Sequence, residues 1–231
     1  MKHPQIERGE EFIRQTKLLY SIIVAGKSAN FTDAAVRKFI DALSTRLGDP
    51  IPTPLPFDMC HQLDTAAIQT CAMVARTGNY TKLVKAIQGV VEALLRGLDL
   101  KTCKPEDLEE IHGIGPKTSR FFIMWCRPEE EYAALDVHVL RYLKAAGVPR
   151  VPKLTPSAGK EYTRLEKLFI QMAHDRGMTP RQLDVQVWEA GAGRTQATPL
   201  PPEKPRICSA CECEISNRYG VWGCGCNPPD A

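Results

Sequence analysis

Apolar residues recur every three to four positions along most of this chain. They do so in Phe12, Leu18, Leu19, Ile22 and Ile23, in Val36, Phe39, Ile40 and Leu43, and in Leu83, Ile87, Val90, Val91 and Leu94. That period puts each set on one face of an α-helix, and no comparable run alternates apolar and polar residues as a half-buried strand would. The pattern predicts an all-α body. Its punctuation agrees: Thr32 or Asp33 is expected to cap the second helix, Asp64 the third and Asn79 the fourth, and Pro105 occupies a first-turn proline position. Later helices are expected from about Asp136 to Ala146, Lys160 to Asp175 and Pro180 to Ala190, giving about nine short helices in residues 1–195.

The periodicity stops at TQATPLPPEKPR, whose four prolines read as a semi-rigid linker over 196–207. Cysteine usage changes across it. Cys60, Cys71, Cys103 and Cys126 are scattered singly, as buried thiols of a reducing compartment would be, whereas Cys208, Cys211, Cys213, Cys224 and Cys226 crowd into residues 208–231. The chain therefore divides into a helical body and a small cysteine module. Its 231 residues, 43% hydrophobic and 25% charged, exclude a disordered tail protein and suffice for a core without disulfides. No stretch of about 18 apolar residues exists to span a membrane, and the charged start MKHPQIERGEEF lacks a secretory signal's apolar core. An intracellular, cytoplasmic protein is expected. A net charge of +3 neither demands nor forbids a nucleic-acid partner.

The segment with the most chemistry runs Leu108-Glu-Glu-Ile-His-Gly-Ile-Gly-Pro-Lys-Thr-Ser-Arg-Phe-Phe-Ile123. Leu108 and Ile111 share a face of a short helix, Gly113-Ile114-Gly115 makes a tight turn, and Pro116 begins the next helix. This is a helix-hairpin-helix pattern, the alternative being a plain helical hairpin. Its glycines let a phosphate backbone approach, and main-chain N–H groups at the following helix start point at the anion. Gly113, Ile114, Gly115 and Thr118 are the expected DNA contacts. Nineteen positions beyond Lys117 lies Asp136, in Leu135-Asp-Val-His138-Val139.

Together these two motifs resemble the helix-hairpin-helix superfamily of DNA glycosylases, the endonuclease III and 8-oxoguanine glycosylase relatives. Those enzymes carry a lysine just after G-h-G and an aspartate in h-D-x-H-h some twenty residues on. Ala29-Asn-Phe-Thr-Asp-Ala-Ala-Val36 and Asn79-Tyr-Thr-Lys-Leu-Val-Lys-Ala-Ile87 look like further endonuclease III segments, so the resemblance covers about residues 18–145 well and 146–193 loosely, with Trp188 near the end of the last body helix. It implies two helical subdomains, 27–130 and 1–26 with 131–195, flanking a DNA-binding cleft. The implied partner is double-stranded DNA holding a damaged or modified base, bound by a monomer and touched by whichever of Lys27, Arg37 and Arg120 face it.

The chemistry explains why lysine and aspartate belong together. Breaking an N-glycosidic bond passes through an oxocarbenium-like sugar whose charge a carboxylate stabilises. An amine that attacks C1′ forms a Schiff base and opens the way to β-elimination, so Lys117 with Asp136 implies a bifunctional glycosylase and AP lyase needing no cofactor for its chemistry. The plainer readings are a phosphate-contacting or solvated Lys117 and an Asp136 that only caps its helix. Asn30 falls near the family's polar wedge position but equally suits an exposed loop. His138 either contacts phosphate or packs against the hairpin, and Phe121, Phe122 and Trp125 read as core before base-stacking platform. A non-catalytic DNA-binding module and a base-flipping enzyme that modifies without excising are the alternative functions.

The tail spacing is C-x₂-C-x-C-x₁₀-C-x-C. Five thiolates within 19 residues suit tetrahedral sulfur coordination, with zinc the first choice and any four of the five as ligands. The endonuclease III relatives hold a four-iron cluster on C-x₆-C-x₂-C-x₅-C. The departure makes an iron–sulfur cluster the second choice here. Lys204, Arg206 and Arg218 against Glu203, Glu212, Glu214 and Asp230 leave the tail slightly acidic, a poor electrostatic clamp for DNA.

Overall fold

The described residues form ten helices: α1 (Pro4–Ile23), α2 (Ala29–Leu47), α3 (Pro56–His61), α4 (Thr65–Val74), α5 (Tyr80–Leu95), α6 (Pro105–Glu109), α7 (Pro116–Cys126), α8 (Val137–Ala145), α9 (Lys160–His174) and α10 (Pro180–Gly191). The computed structural model describes the backbone of residues 4–24, 29–48, 55–157, 159–191, 216–218 and 221–223, and the side chains within 9–24, 31–48, 55–157 and 159–191. The all-α reading of the body holds. Outside it, β1 (Ser216–Arg218) and β2 (Val221–Gly223) pair antiparallel, with Ser216 opposite Gly223 and Arg218 opposite Val221. Three-residue strands are too short to show an alternating pattern. Among the described residues no helix is long and apolar enough to cross a membrane.

The chain divides between Glu130 and Glu131. In the first unit α1 packs against α7, α2, α3 and α5, while α4 joins α2 to α5 and α6 lies on α7. Leu18, Leu19, Phe39, Leu43, Phe57 and Ile87 are fully buried there. The expected grouping of residues 1–26 with 131–195 is thus corrected. The buried face of α1, Leu18, Leu19 and Ile23, belongs to the core of the first unit. In the second unit α8, α9 and α10 enclose Leu135, Leu140, Leu143, Tyr162, Phe169 and Leu183.

Local signals place most helix starts. Asp64 caps α4 by accepting from the Ala67 N–H at 2.7 Å, and Pro105 and Pro116 open α6 and α7 from their first turns. One start lies ahead of its expected cap, and one cap holds its position without a side-chain bond. α2 begins at Ala29, ahead of Thr32, because Thr32 continues the buried row formed with Val36, Phe39 and Leu43 and is itself fully buried. Asn79 precedes α5 in a left-handed conformation (φ 50°) with no side-chain cap bond. It follows Gly78, which is also left-handed, and asparagine tolerates that region better than most residues. Helix α3 was not legible: six residues after the alternating prolines of IPTPLPF show no period. It is anchored by buried Phe57, Met59 and Cys60 and by the Phe57 N–H, which donates to Gln15 Oε1 of α1 at 3.0 Å.

Candidate nucleic-acid interface and catalytic residues

Helix α6, the turn through Gly113 and helix α7 form the hairpin, and its two glycines are not equivalent. Gly113 has φ 93°, and a Cβ there would lie 3.2 Å from Ala86 Cβ of α5, so both conformation and packing require glycine. Gly115 is extended (φ −108°, ψ 178°), a backbone that any residue adopts, which corrects the expectation that both glycines serve the turn. A Cβ at Gly115 would meet nothing within 4 Å. Its absence instead leaves the start of α7 bare, where the Thr118 and Ser119 N–H groups turn inward to the Gly115 carbonyl at 2.9 and 3.0 Å. Ile114 is buried and pins the turn to the core, and its N–H donates to the Ile111 carbonyl at 3.0 Å. Thr118 is half-buried.

A polar brace unseen in the sequence holds the hairpin closed. Arg120 is 8% exposed and pairs with Glu109 of α6, more distantly with Glu106, while Ser119 Oγ donates to the same Glu109 oxygen at 2.9 Å. Of Lys27, Arg37 and Arg120, Arg120 is therefore internal and does not face outward. Arg37 is exposed on α2, and Lys27 lies outside the described residues. Removing one partner of a buried ion pair strands the other charge. Arg120→Met is expected to lower unfolding free energy by roughly 2–4 kcal/mol, somewhat below a fully buried pair because Glu109 keeps partial water access. Urea titration followed by circular dichroism measures it; a loss under about 0.5 kcal/mol, the range of an ordinary surface substitution, would show that the brace contributes little.

Lys117 is the second residue of α7 and half-buried. Its Nζ lies 5.8 Å from the centroid of the Phe121 ring. Phe121 in turn stacks with Tyr20 of α1 at 6.3 Å and meets Trp125 at 5.4 Å, so Lys117, Phe121 and Trp125 form one row along the helix. The Lys17 ammonium donates to the Trp125 carbonyl at 2.7 Å and closes its far end. Of the three aromatics expected as core, Phe122 is fully buried, whereas Phe121 and Trp125 are only half-buried on the Lys117 side. A distinct open groove of about 720 Å³ between α5 and α6, lined by Lys85, Glu92, Arg96, Asp107, Glu110 and His112, does not include Lys117. Its opposite charges suit no single ligand charge.

Asp136 is the N-cap of α8 in the second unit. Its Oδ1 accepts from the N–H groups of His138 at 2.8 Å and Val139 at 2.9 Å. Oδ2 makes no hydrogen bond among the described residues, so the cap uses one oxygen of the carboxylate. His138 is half-buried, with Nδ1 enclosed and without a hydrogen-bond partner among the described residues. A Cβ at Gly191 would stand 2.2 Å from that nitrogen. The imidazole thus lies flush against the end of α10, a contact that only a residue without a side chain permits. Asn30 is in the first turn of α2, and its side chain lies outside the described residues, as do Cys208, Cys211, Cys213, Cys224 and Cys226.

The body cysteines carry no reactive signature. Cys60, Cys71 and Cys103 are buried and Cys126 is half-buried. Burial pushes the thiols of Cys60, Cys71 and Cys126 above their ordinary range and that of Cys103 up to about 11, so all four stay protonated near neutrality. Among the described residues no cluster of His, Cys, Asp or Glu could hold a metal ion. No family model matches the chain, and no solved structure matches it.

Proposed function

We propose that this protein is a base-excision DNA glycosylase with AP lyase activity, acting on double-stranded DNA that contains a damaged or modified base. The observation that carries the reading is the turn between α6 and α7: a positive-φ Gly113, a bare helix start at Gly115 and, two residues on, a half-exposed Lys117 beside an aromatic row. Phosphates approach such a turn through main-chain N–H groups. Lys117, Phe121 and Trp125 supply the mixture of cation and π-faces that unstacked bases favour.

In the proposed reaction the Lys117 amine lone pair attacks C1′ as the bond from C1′ to the base nitrogen breaks, and the base leaves with a proton. Asp136 stabilises the positive charge that develops on the sugar. Sugar-ring opening gives a protonated Schiff base on Lys117. Loss of a C2′ proton then expels the 3′ phosphate, and hydrolysis returns the free lysine. The chain is proposed to act as a monomer and to need no cofactor for these steps. Duplexes each carrying one lesion, scored for abasic sites and for a borohydride-trapped adduct, test the reading. Release of free base with a trapped adduct is expected. DNA binding without either product would instead identify a non-catalytic module.

The tail is proposed to bind zinc through four of Cys208, Cys211, Cys213, Cys224 and Cys226. What supports this is their spacing, C-x₂-C-x-C-x₁₀-C-x-C; all five lie outside the described residues. Thiolates favour zinc or an iron–sulfur cluster, and a segment with so few large apolar residues needs such a cross-link to order. The purified protein is expected to be colourless with about one zinc per chain, released by a chelator while the helical signal of residues 1–195 persists. Brown protein with stoichiometric iron would show a cluster instead. Deleting residues 196–231 is expected to leave the Lys117 chemistry in place.

A further inference from the structure

Immediately before Asp136 the chain runs buried and outside any helix or strand through Ala133, Ala134 and Leu135, at 0%, 2% and 0% exposure. Buried peptide groups outside helices and sheets must find other partners. Here side chains of α9 and the preceding loop supply them. The Tyr162 hydroxyl donates to the Ala133 carbonyl at 2.9 Å and accepts from the Leu135 N–H at 3.1 Å. One helical turn further, Glu166 Oε1 accepts from the Ala133 N–H at 3.1 Å, and Thr155 Oγ1 donates to the Leu135 carbonyl at 2.7 Å. Tyr162 is 1% exposed and Glu166 7%, so neither exchanges these bonds for water.

We infer that Tyr162, supported by Glu166 and Thr155, is a positioning residue for the Asp136 carboxylate. The inference rests on the proposed role of Asp136. A hydroxyl bonded to both Ala133 and Leu135 fixes the path of the backbone up to the residue before the cap. Tyr162 and Glu166 lie one turn apart on a rigid helix whose other buried positions, Leu165, Phe169 and Ala173, are apolar. Asp136 inherits that placement, and its N–H closes the turn onto the Ala134 carbonyl at 2.8 Å. Its Oδ1 is then bound to α8 while Oδ2 projects from a held backbone. A carboxylate that stabilises developing charge acts only if it is placed before the reaction, which is what such a template supplies.

Tyr162→Phe in the full chain tests this, because it removes both bonds and little volume. Amide exchange should accelerate by about tenfold or more at Leu135 and also at His138 and Val139, whose N–H groups report the cap; tenfold is the order of one net hydrogen bond. Single-turnover excision should fall about tenfold with the DNA Kd unchanged. In an Asp136→Asn background the same substitution should produce no additional fall. Faster exchange at Leu135 alone, with the cap protons and excision unchanged, would overturn the inference, as would a full additional loss in the Asp136→Asn background. If the unsubstituted protein excises no base from any duplex, the glycosylase reading fails, and exchange at His138 and Val139 still decides whether the template holds Asp136. If Tyr162→Phe does not fold, Thr155→Val removes the bond to Leu135 and is expected to move the same protons in the same direction.

Discussion

Lys117→Gln is expected to abolish borohydride trapping and strand nicking while leaving duplex binding largely intact. Glutamine keeps most of the side chain's length and its polar end but has no nucleophilic lone pair to attack C1′. The fold has little to lose: Lys117 is half-buried and its Nζ lies 5.8 Å from the Phe121 ring centroid, an interaction worth about 0.5–1 kcal/mol at a partly exposed site. In the proposed complex, duplex affinity would rest mainly on phosphate contacts, which this substitution does not remove. Trapping on sodium dodecyl sulfate gels and a binding titration at fixed salt read the two outcomes separately. A covalent adduct of normal yield in the variant would move the nucleophile to another amine, such as the chain's N-terminus.

Asp136→Asn should lower base excision by about 10²–10³-fold, the order seen when an electrostatic stabiliser of a transition state is removed. Its value as a test comes from the cap. Oδ1 accepts from His138 and Val139, and an asparagine amide oxygen accepts the same two bonds. Helix α8 therefore keeps its start, and thermal unfolding should change little while the rate collapses. Normal excision by the variant would reduce Asp136 to its capping role.

These two residues stand out in the sequence because each belongs to a local signal. Lysine follows a glycine turn and a first-turn proline, and aspartate opens an amphipathic helix. The surrounding machinery has no such signal. Nothing near Arg120 announces that it turns inward to Glu109, since a charged residue at helical spacing normally marks a solvated face. Tyr162 and Glu166 are 26 and 30 positions from Asp136 and read as ordinary members of an amphipathic helix. The closeness of His138 to Gly191 joins residues 53 positions apart. Gly115 shows the converse: its pattern is legible, but which of the turn's glycines needs a positive φ is not.

Local pattern was sufficient for what short-range physics controls in this protein. Apolar period set the helical character of the body, small polar residues and prolines set the starts of α4, α6, α7 and α8, and glycine chemistry set the hairpin turn. Tertiary packing decided the rest. It assigned α1 to the first unit, created α3 from residues without a period, drew Arg120 into the interior, and turned Phe121 and Trp125 partly outward beside Lys117. It also gave the backbone before Asp136 its side-chain partners. The division has one physical cause: a helix or a turn is selected by neighbours within about four residues, whereas burial and the pairing of polar groups depend on surfaces that meet only once the chain has folded.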